Sequence, residues 1–306
     1  MHNRILITGI SGFLGSQIAK QLISQGHKII ATKRPSSNLW RCEDYANKVN
    51  WVNINEVNWQ NKIIELHPEI IIHTAWSGVS ANDRDDWDIQ FSNIDFTLKL
   101  LQIAKQCKLK KFIGFGSQAE YGNFSGIVDE NYPLKPNSAY GSSKIAVCQI
   151  IKCFCSINEI NWYWIRLFSF FGELESNTWL IPTLINKISS LQKMDMTPGE
   201  QKYAYMYVGD LAKIIGKIVE VDISSGIYNI SSAKAISLLD LTNEILGIIN
   251  PVESQINFGA IPYRPNQSMH IQGSISKLEK ELGEKIVELD FNDSLSKVVN
   301  YKLNKH

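Results

Sequence analysis

Residues 4–15 read Arg4-Ile5-Leu6-Ile7-Thr8-Gly9-Ile10-Ser11-Gly12-Phe13-Leu14-Gly15. The first half is a short apolar run, the pattern of a strand buried on both faces. Gly9 ends it, and an amphipathic helix continues to about Gln25. A second apolar run, Lys28-Ile29-Ile30-Ala31-Thr32, follows directly. Strand, helix and strand in that order predict a parallel crossover unit, the opening of an α/β sheet. Gly9, Gly12 and Gly15 stand at the turn from strand to helix. Glycines there let a phosphate approach the backbone, while free N–H groups at the helix start face it. The spacing is Gly-x-x-Gly-x-x-Gly, so the position after the first strand carries the reading: dinucleotide binding.

The end of the second strand bears on which dinucleotide. An acidic residue there accepts bonds from the adenosine ribose and selects NAD, whereas an arginine accommodates the 2′-phosphate of NADP. The chain reads Thr32-Lys33-Arg34-Pro35-Ser36-Ser37, without a carboxylate. Lys33, Arg34 and Ser36 therefore point to NADPH, with NAD as the alternative.

Further strands are expected at Val49–Ile54, Glu69–Thr74, Lys111–Gly116, Asn161–Phe168 and Gly226–Ile230. Helices are expected near 58–66, 87–107, 139–156, 237–247 and 276–282, and residues 169–209 read as irregular. The fold expected is a Rossmann-type, doubly wound parallel sheet with a smaller carboxyl-side substrate region. Residues 1–168 would form the cofactor domain and 169–306 the substrate region, which returns the strand at 226–230 to the sheet. Ligands of such sheets bind beyond the carboxyl ends of the strands. Thr74 and Ala75 are placed there for cofactor and Ser77 for substrate. His73, inside its strand, reads as a packed residue.

Ser138-Ala139-Tyr140-Gly141-Ser142-Ser143-Lys144 supplies the chemistry. A tyrosine and a lysine four apart share a helix face. A phenol titrates near ~10, and an ammonium beside it favours the phenolate. Lys144 is thus expected to tune Tyr140 as a proton-transfer group. Ser117, at a strand's carboxyl end, adds an exposed hydroxyl.

Apolar residues make up 44% and charged residues 20%, with a formal charge of +1, so no nucleic-acid or membrane surface is indicated. No apolar run is long enough to span a bilayer, and the first residues lack a signal-peptide pattern, so a cytoplasmic protein is expected. The five cysteines, Cys42, Cys107, Cys148, Cys153 and Cys155, lack the spacing of a disulfide framework or metal site and read as buried thiols.

With Gly9, Gly12, Gly15, Ser117, Tyr140 and Lys144 in order, the chain resembles the extended short-chain dehydrogenase/reductase superfamily. More narrowly it resembles the epimerase/dehydratase branch that acts on nucleotide-diphosphate sugars. Arg166-Leu-Phe-Ser-Phe-Phe-Gly172, Tyr207-Val-Gly-Asp210, Gly226-Ile-Tyr-Asn229 and Pro262-Tyr-Arg-Pro265 match further landmarks. The resemblance adds Thr8, Phe13 and Leu14 to the cofactor loop. It makes Ser117, Tyr140 and Lys144 a catalytic triad, with Tyr140 and Lys144 also touching cofactor. Gln118, Ser169, Trp179 and Arg264 join Ser77 on the substrate side, Arg264 at the diphosphate. Ser169 and Tyr203 stand where many relatives have asparagine and arginine.

Dehydratases of this branch carry an Asp-Glu pair after the catalytic hydroxyl, where this chain has Gln118 and Ala119. Glu120 lies one residue further, on the opposite face if the strand continues. The 3,5-epimerase/reductases need a cysteine near the serine and a histidine beyond the tyrosine; here no cysteine follows Ser117 before Cys148, and no histidine lies between His73 and His270. The resemblance thus implies NADPH-dependent reduction of the C4 ketone of a nucleotide-diphosphate 4-keto-6-deoxy sugar, similar to CDP-abequose synthase. The alternatives are an NAD-dependent 4-epimerase and a non-catalytic sensor of the same fold. It also implies a homodimer built on the helices near 87–107 and 139–156, covering Leu98, Leu101, Val147 and Ile151.

Overall fold

A computed structural model describes residues 2–80 and 82–304. Seven parallel strands form the main sheet: β1 (Arg4–Thr8), β2 (Lys28–Lys33), β3 (Val49–Asn53), β4 (Ile70–His73), β5 (Lys111–Ser117), β6 (Asn161–Leu167) and β7 (Gly226–Ile230). Their order is β7-β6-β5-β4-β1-β2-β3, the doubly wound arrangement expected from the sequence. The order in which strands are added reverses between β1 and β4, so the crevice lies beyond their carboxyl ends.

The apolar runs have a simple cause. Ile5 and Ile7 enter the core on one face of the sheet and Leu6 the core on the other, as the two-residue period of a strand requires. The first face is covered by α1 (Phe13–Ser24) and α6 (Val208–Glu220); the second by α2 (Trp59–Glu65), α3 (Trp87–Cys107) and α4 (Ala139–Ile157). Asp86 caps α3 by accepting from Ile89 N at 3.0 Å, and Ser138 caps α4 by accepting from Gly141 N at 3.1 Å.

The carboxyl side has more structure than its sequence suggests. Its third core joins α5 (Leu180–Ser189), α7 (Leu238–Ile249) and α9 (Phe291–Leu303) through Leu184, Leu241, Ile245 and Val298; α8 (Ser276–Leu282) packs near β7 instead. Short segments at 236–237, 202–203, 270–273 and 126–128 form a four-stranded sheet in that order. The expectation of irregular chain over 169–209 fails at α5. Pro182 occupies its first turn, where a missing N–H costs no helix bond, so the proline does not break it. The helix α6 was also unforeseen: Gly209 and Gly216 dilute its pattern. A Cβ on Gly216 would lie 2.7 Å from Gln25 Oε1, so that glycine permits close packing of α6 on α1.

Two further expectations need correction. Leu101, Val147 and Ile151 are buried within the chain's own core; only Leu98 of the four is exposed. Cys153 is exposed and Cys107 half-buried, so only Cys42, Cys148 and Cys155 are buried thiols. No helix among the described residues is long and apolar enough to cross a membrane.

Candidate active site

Beyond the carboxyl ends of β1, β2 and β4 lies a cavity of about 370 Å³. Gly9, Gly12, Lys33 and Arg34 line one side, and Thr74, Ala75 and Ser77 another, so these expected residues do converge. Gly9 has φ +72°, and a Cβ there would lie 2.6 Å from Ala75 N. A Cβ on Gly15 would strike the Gly9 carbonyl oxygen and lie 2.7 Å from Thr74 Oγ1. The turn is therefore closed to side chains and leaves the α1 N-terminus open towards the cavity, a cradle that fits a dinucleotide diphosphate.

Other loop residues support the cradle. Thr8 Oγ1 shares a 2.7 Å hydrogen bond with His73 Nδ1, and His73 Nε2 meets Thr97 Oγ1 at 3.1 Å. Burial drives the His73 pKa down to about 3, so the ring is a neutral packing element. Phe13 stacks on Phe170 at 5.6 Å, and Leu14 packs on the core beneath. Lys33 Nζ lies 5.6 Å from the Trp51 ring. Ser36 is exposed and outside the cavity lining; its neighbour Ser37 lines it and accepts from Arg34 N at 3.0 Å.

Ser117, Tyr140 and Lys144 come together at the end of β5. The strand stops at Ser117, and Gln118–Glu120 form one turn of 3₁₀ helix. Strand alternation therefore does not govern Glu120. It turns inward, completely buried, and accepts from Ser117 N at 2.9 Å, Trp164 Nε1 at 3.0 Å and Arg166 Nε at 2.8 Å. This is a structural carboxylate with its donors in place.

Tyr140 shares a side-chain hydrogen bond with Ser117. Its ring meets Trp76 edge-to-face at 6.2 Å, and the Arg84 guanidinium lies 4.9 Å from its centre. Burial raises the phenol pKa above its ordinary value, while the Ser117 bond and Arg84 pull it back. The expectation that Lys144 depresses it is not met. Lys144 Nζ donates to the Phe115 carbonyl at 2.7 Å and sits 3.4 Å from the Trp76 ring centre, 5.6 Å from that of Tyr140. Burial lowers the Lys144 pKa to about 7, against the opposing pull of Glu120.

The substrate-side residues are less gathered. Gln118 is half-buried, and its Oε1 has no hydrogen-bond partner among the described residues. The Ser169 carbonyl accepts from Met206 N at 3.0 Å. Trp179, half-exposed at the start of α5, and the exposed Arg264 stand outside the cavity lining. The charge of Arg264 opposes the burial that raises the Tyr203 pKa.

Sequence reasoning missed Arg84, Ser37 and the role of Asn93. Asn93 holds the loop after β4 by accepting from Ser77 N at 2.8 Å and donating to Ser77 O at 3.0 Å. It recurs on the inner face of a helix already foreseen, and a buried polar residue there is the signal that could have found it. Arg84 lies in a polar loop and carries no comparable signal.

The NAD dependent epimerase/dehydratase family matches residues 5–231. Three curated relatives are similar over most of their length. A dTDP-6-deoxy-L-talose 4-dehydrogenase (NAD(+)) from Aggregatibacter actinomycetemcomitans is 26% identical, over 88% of this chain and 99% of that one. A CDP-abequose synthase from Salmonella muenchen is 26% identical over 92% of each. A putative UDP-glucose 4-epimerase from Methanocaldococcus jannaschii is 29% identical over 99% of each. Among solved structures, the UDP-N-acetylglucosamine 4-epimerase from Methanobrevibacter ruminantium M1 superimposes with a TM-score of 0.87 at 22% identity, covering 100% of this chain and 99% of that one.

Proposed function

The chain belongs to the NAD dependent epimerase/dehydratase family, and from that premise we propose that it is a sugar-nucleotide 4-ketoreductase. The substrate would be a nucleotide-diphosphate 4-keto-6-deoxy sugar and the reductant NADPH, within deoxysugar and surface-polysaccharide biosynthesis. One observation carries the reading: Lys33, Arg34 and Ser37 line the cofactor cavity, and no carboxylate among the described residues does. A carboxylate would repel a 2′-phosphate, whereas an arginine pairs with it. The names of two relatives, a 4-dehydrogenase of a 6-deoxy sugar nucleotide and a CDP-abequose synthase, support chemistry at C4.

When bound, the nicotinamide supplies the hydride. Thr8, Gly9, Gly12, Phe13, Leu14, Gly15, Thr74 and Ala75 would hold the dinucleotide, and Lys144 its nicotinamide ribose. Tyr140 gives a proton to the C4 oxygen as negative charge develops there. Burial keeps that phenol protonated at neutral pH, the loaded state a reductase needs. Ser117, bonded to Tyr140, orients the carbonyl. Ser77, Gln118, Ser169 and Trp179 would face the sugar nucleotide, with Arg264 at its diphosphate.

A second reading, a 4-epimerase holding NAD, is favoured by the 29% identity to the putative UDP-glucose 4-epimerase. The test is NADPH oxidation with 4-keto-6-deoxy sugars linked to CDP, dTDP, GDP or UDP. Turnover with one of them is expected. Protein that purifies with bound NAD and interconverts 4-hydroxy epimers, without net cofactor consumption, would establish the epimerase instead.

A further inference from the structure

The face of the sheet beneath Ser117 is hollowed out for a single acid. β5 carries Gly114 and Gly116 in its interior, where a strand ordinarily packs side chains. A Cβ on Gly114 would lie 2.8 Å from the Trp164 ring, and one on Gly116 would strike both Trp164 Nε1 and Glu120 Oε1. The two glycines thus make room for an indole from β6 and for the carboxyl group that folds back from the turn after β5. Gly114 pairs with Trp164 across the sheet, and Gly116 with Arg166. Trp164 and Arg166 are two apart on β6, so they share a face, and both reach the same carboxylate.

Glu120 is fully buried, and donors fill both of its oxygens. Oε1 accepts from Ser117 N at 2.9 Å and from Trp164 Nε1 at 3.0 Å, and Oε2 accepts from Arg166 Nε at 2.8 Å. Arg166 also donates to Tyr121 Oη at 3.0 Å, and Tyr121 donates to Asn229 Oδ1 on β7 at 2.7 Å. The bonds run from β6 and β7 to one amide, that of Ser117. A buried ion pair adds little net stability, because desolvation offsets its attraction and apolar residues of similar volume do as well. Glycines inside a strand weaken it further. Stability alone therefore does not account for the arrangement. Its effect is to fix Ser117, whose amide is tied to Glu120. The serine hydroxyl accepts from Ala119 N at 3.2 Å and shares a bond with Tyr140.

We propose that Glu120 is the positioning residue of Ser117: braced by Arg166 and Trp164, it holds the end of β5 so that the serine hydroxyl stands beside Tyr140. Glu120 lies outside the cavity lining and acts through the Ser117 backbone. The proposal rests on the reading in which Ser117 orients the substrate carbonyl.

Two paired replacements separate positioning from packing. Arg166→Met with Glu120→Gln removes the ion pair but keeps an oxygen that can accept from Ser117 N. Arg166→Met with Glu120→Met fills the space without that acceptor. Amide hydrogen exchange of the free protein, read by NMR, reports the anchor without turnover. The Ser117 amide should exchange about tenfold faster in the second pair than in the first, with the other β5 and β6 amides alike in both. In NADPH oxidation, kcat should fall by about 10–10²-fold in the second pair and be largely restored in the first, with KM for NADPH unchanged. Ser117→Ala should then cost less in the second pair than in wild type, since an unanchored hydroxyl has less to lose. Equal Ser117 exchange in the two pairs, or equal turnover, overturns the proposal. Should either pair lose its fold by circular dichroism, Glu120→Gln and Glu120→Met are compared singly. Wild type supplies a check that needs no variant: a Ser117 amide exchanging as fast as an unbonded loop amide also overturns it. Faster Ser117 exchange in the second pair, with no NADPH oxidation by wild type on any 4-keto-6-deoxy sugar nucleotide, would remove the ketoreductase reading and leave Glu120 as the anchor of Ser117.

Discussion

At the end of β2 the proposed NADPH preference would rest chiefly on Arg34. Arg34 is exposed, and its backbone N–H donates to Ser37 Oγ. Arg34→Ala should weaken NADPH binding by about 1.5 kcal/mol, the lower end for charge-assisted bonds because the group is solvated. NADH, lacking the 2′-phosphate, should bind as before; calorimetry with both cofactors checks this. Equal losses for both would remove Arg34 from the 2′-phosphate site. Tyr140→Phe removes the proton donor and keeps the ring beneath Arg84. Turnover should fall by about 10²–10⁴ with cofactor affinity nearly unchanged. A mutant as fast as wild type would take Tyr140 out of the chemistry.

Among the elements, α9 and the segment before α5 form a contact whose energy depends on pH. Lys302 Nζ donates to Glu175 O at 3.0 Å and to Asn177 Oδ1 at 2.8 Å. The Glu175 side chain is buried, and its carboxyl pKa is pushed up from 4.5 to about 8 by burial, against the pull of Lys302. Unfolded, the same carboxyl ionises near 4.5. Between those values the folded state binds the extra proton, so stability falls as pH rises. Below pH 4.5 this contribution is complete, and above about 8 it is gone. Each pH unit of the window is worth at most about 1.4 kcal/mol. Glu175→Gln stays neutral and should flatten this dependence, with a higher Tm than wild type at pH 8 and little difference at pH 4.5. Thermal melts across that range decide it; parallel curves would mean that Glu175 is ionised in the fold.

For the molecule as a whole, the α3–α4 layer carries exposed apolar residues. Trp87, Phe91 and Leu98 recur along α3, and Ile157 ends α4, all exposed. The spacing of 87, 91 and 98 is that of one helix face. An apolar stripe on paired helices is what a second copy of the chain would cover. We therefore expect a homodimer through this layer, with Trp87, Phe91, Leu98 and Ile157 in place of the buried Leu101, Val147 and Ile151. Sedimentation at micromolar concentration should give twice the chain mass, and Phe91→Glu should return it towards one chain. A monomeric wild type would remove the interface.

The order of strands and the glycine turn were legible in the sequence because they rest on local patterns. Buried parallel strands need unbroken apolar runs, and a turn that admits no Cβ needs glycine. The Tyr140–Lys144 spacing was equally legible, since four residues return to one helix face. What surrounds those side chains was not, because the neighbours come from elsewhere in the chain. Arg84 reaches Tyr140 across 56 positions, Glu120 meets Arg166 across 46, and Lys302 meets Glu175 across 127. Sequence spacing places a charge along its own helix. Whether that charge faces the phenol, a carbonyl or an indole is decided by burial and by which groups the tertiary packing leaves unpaired.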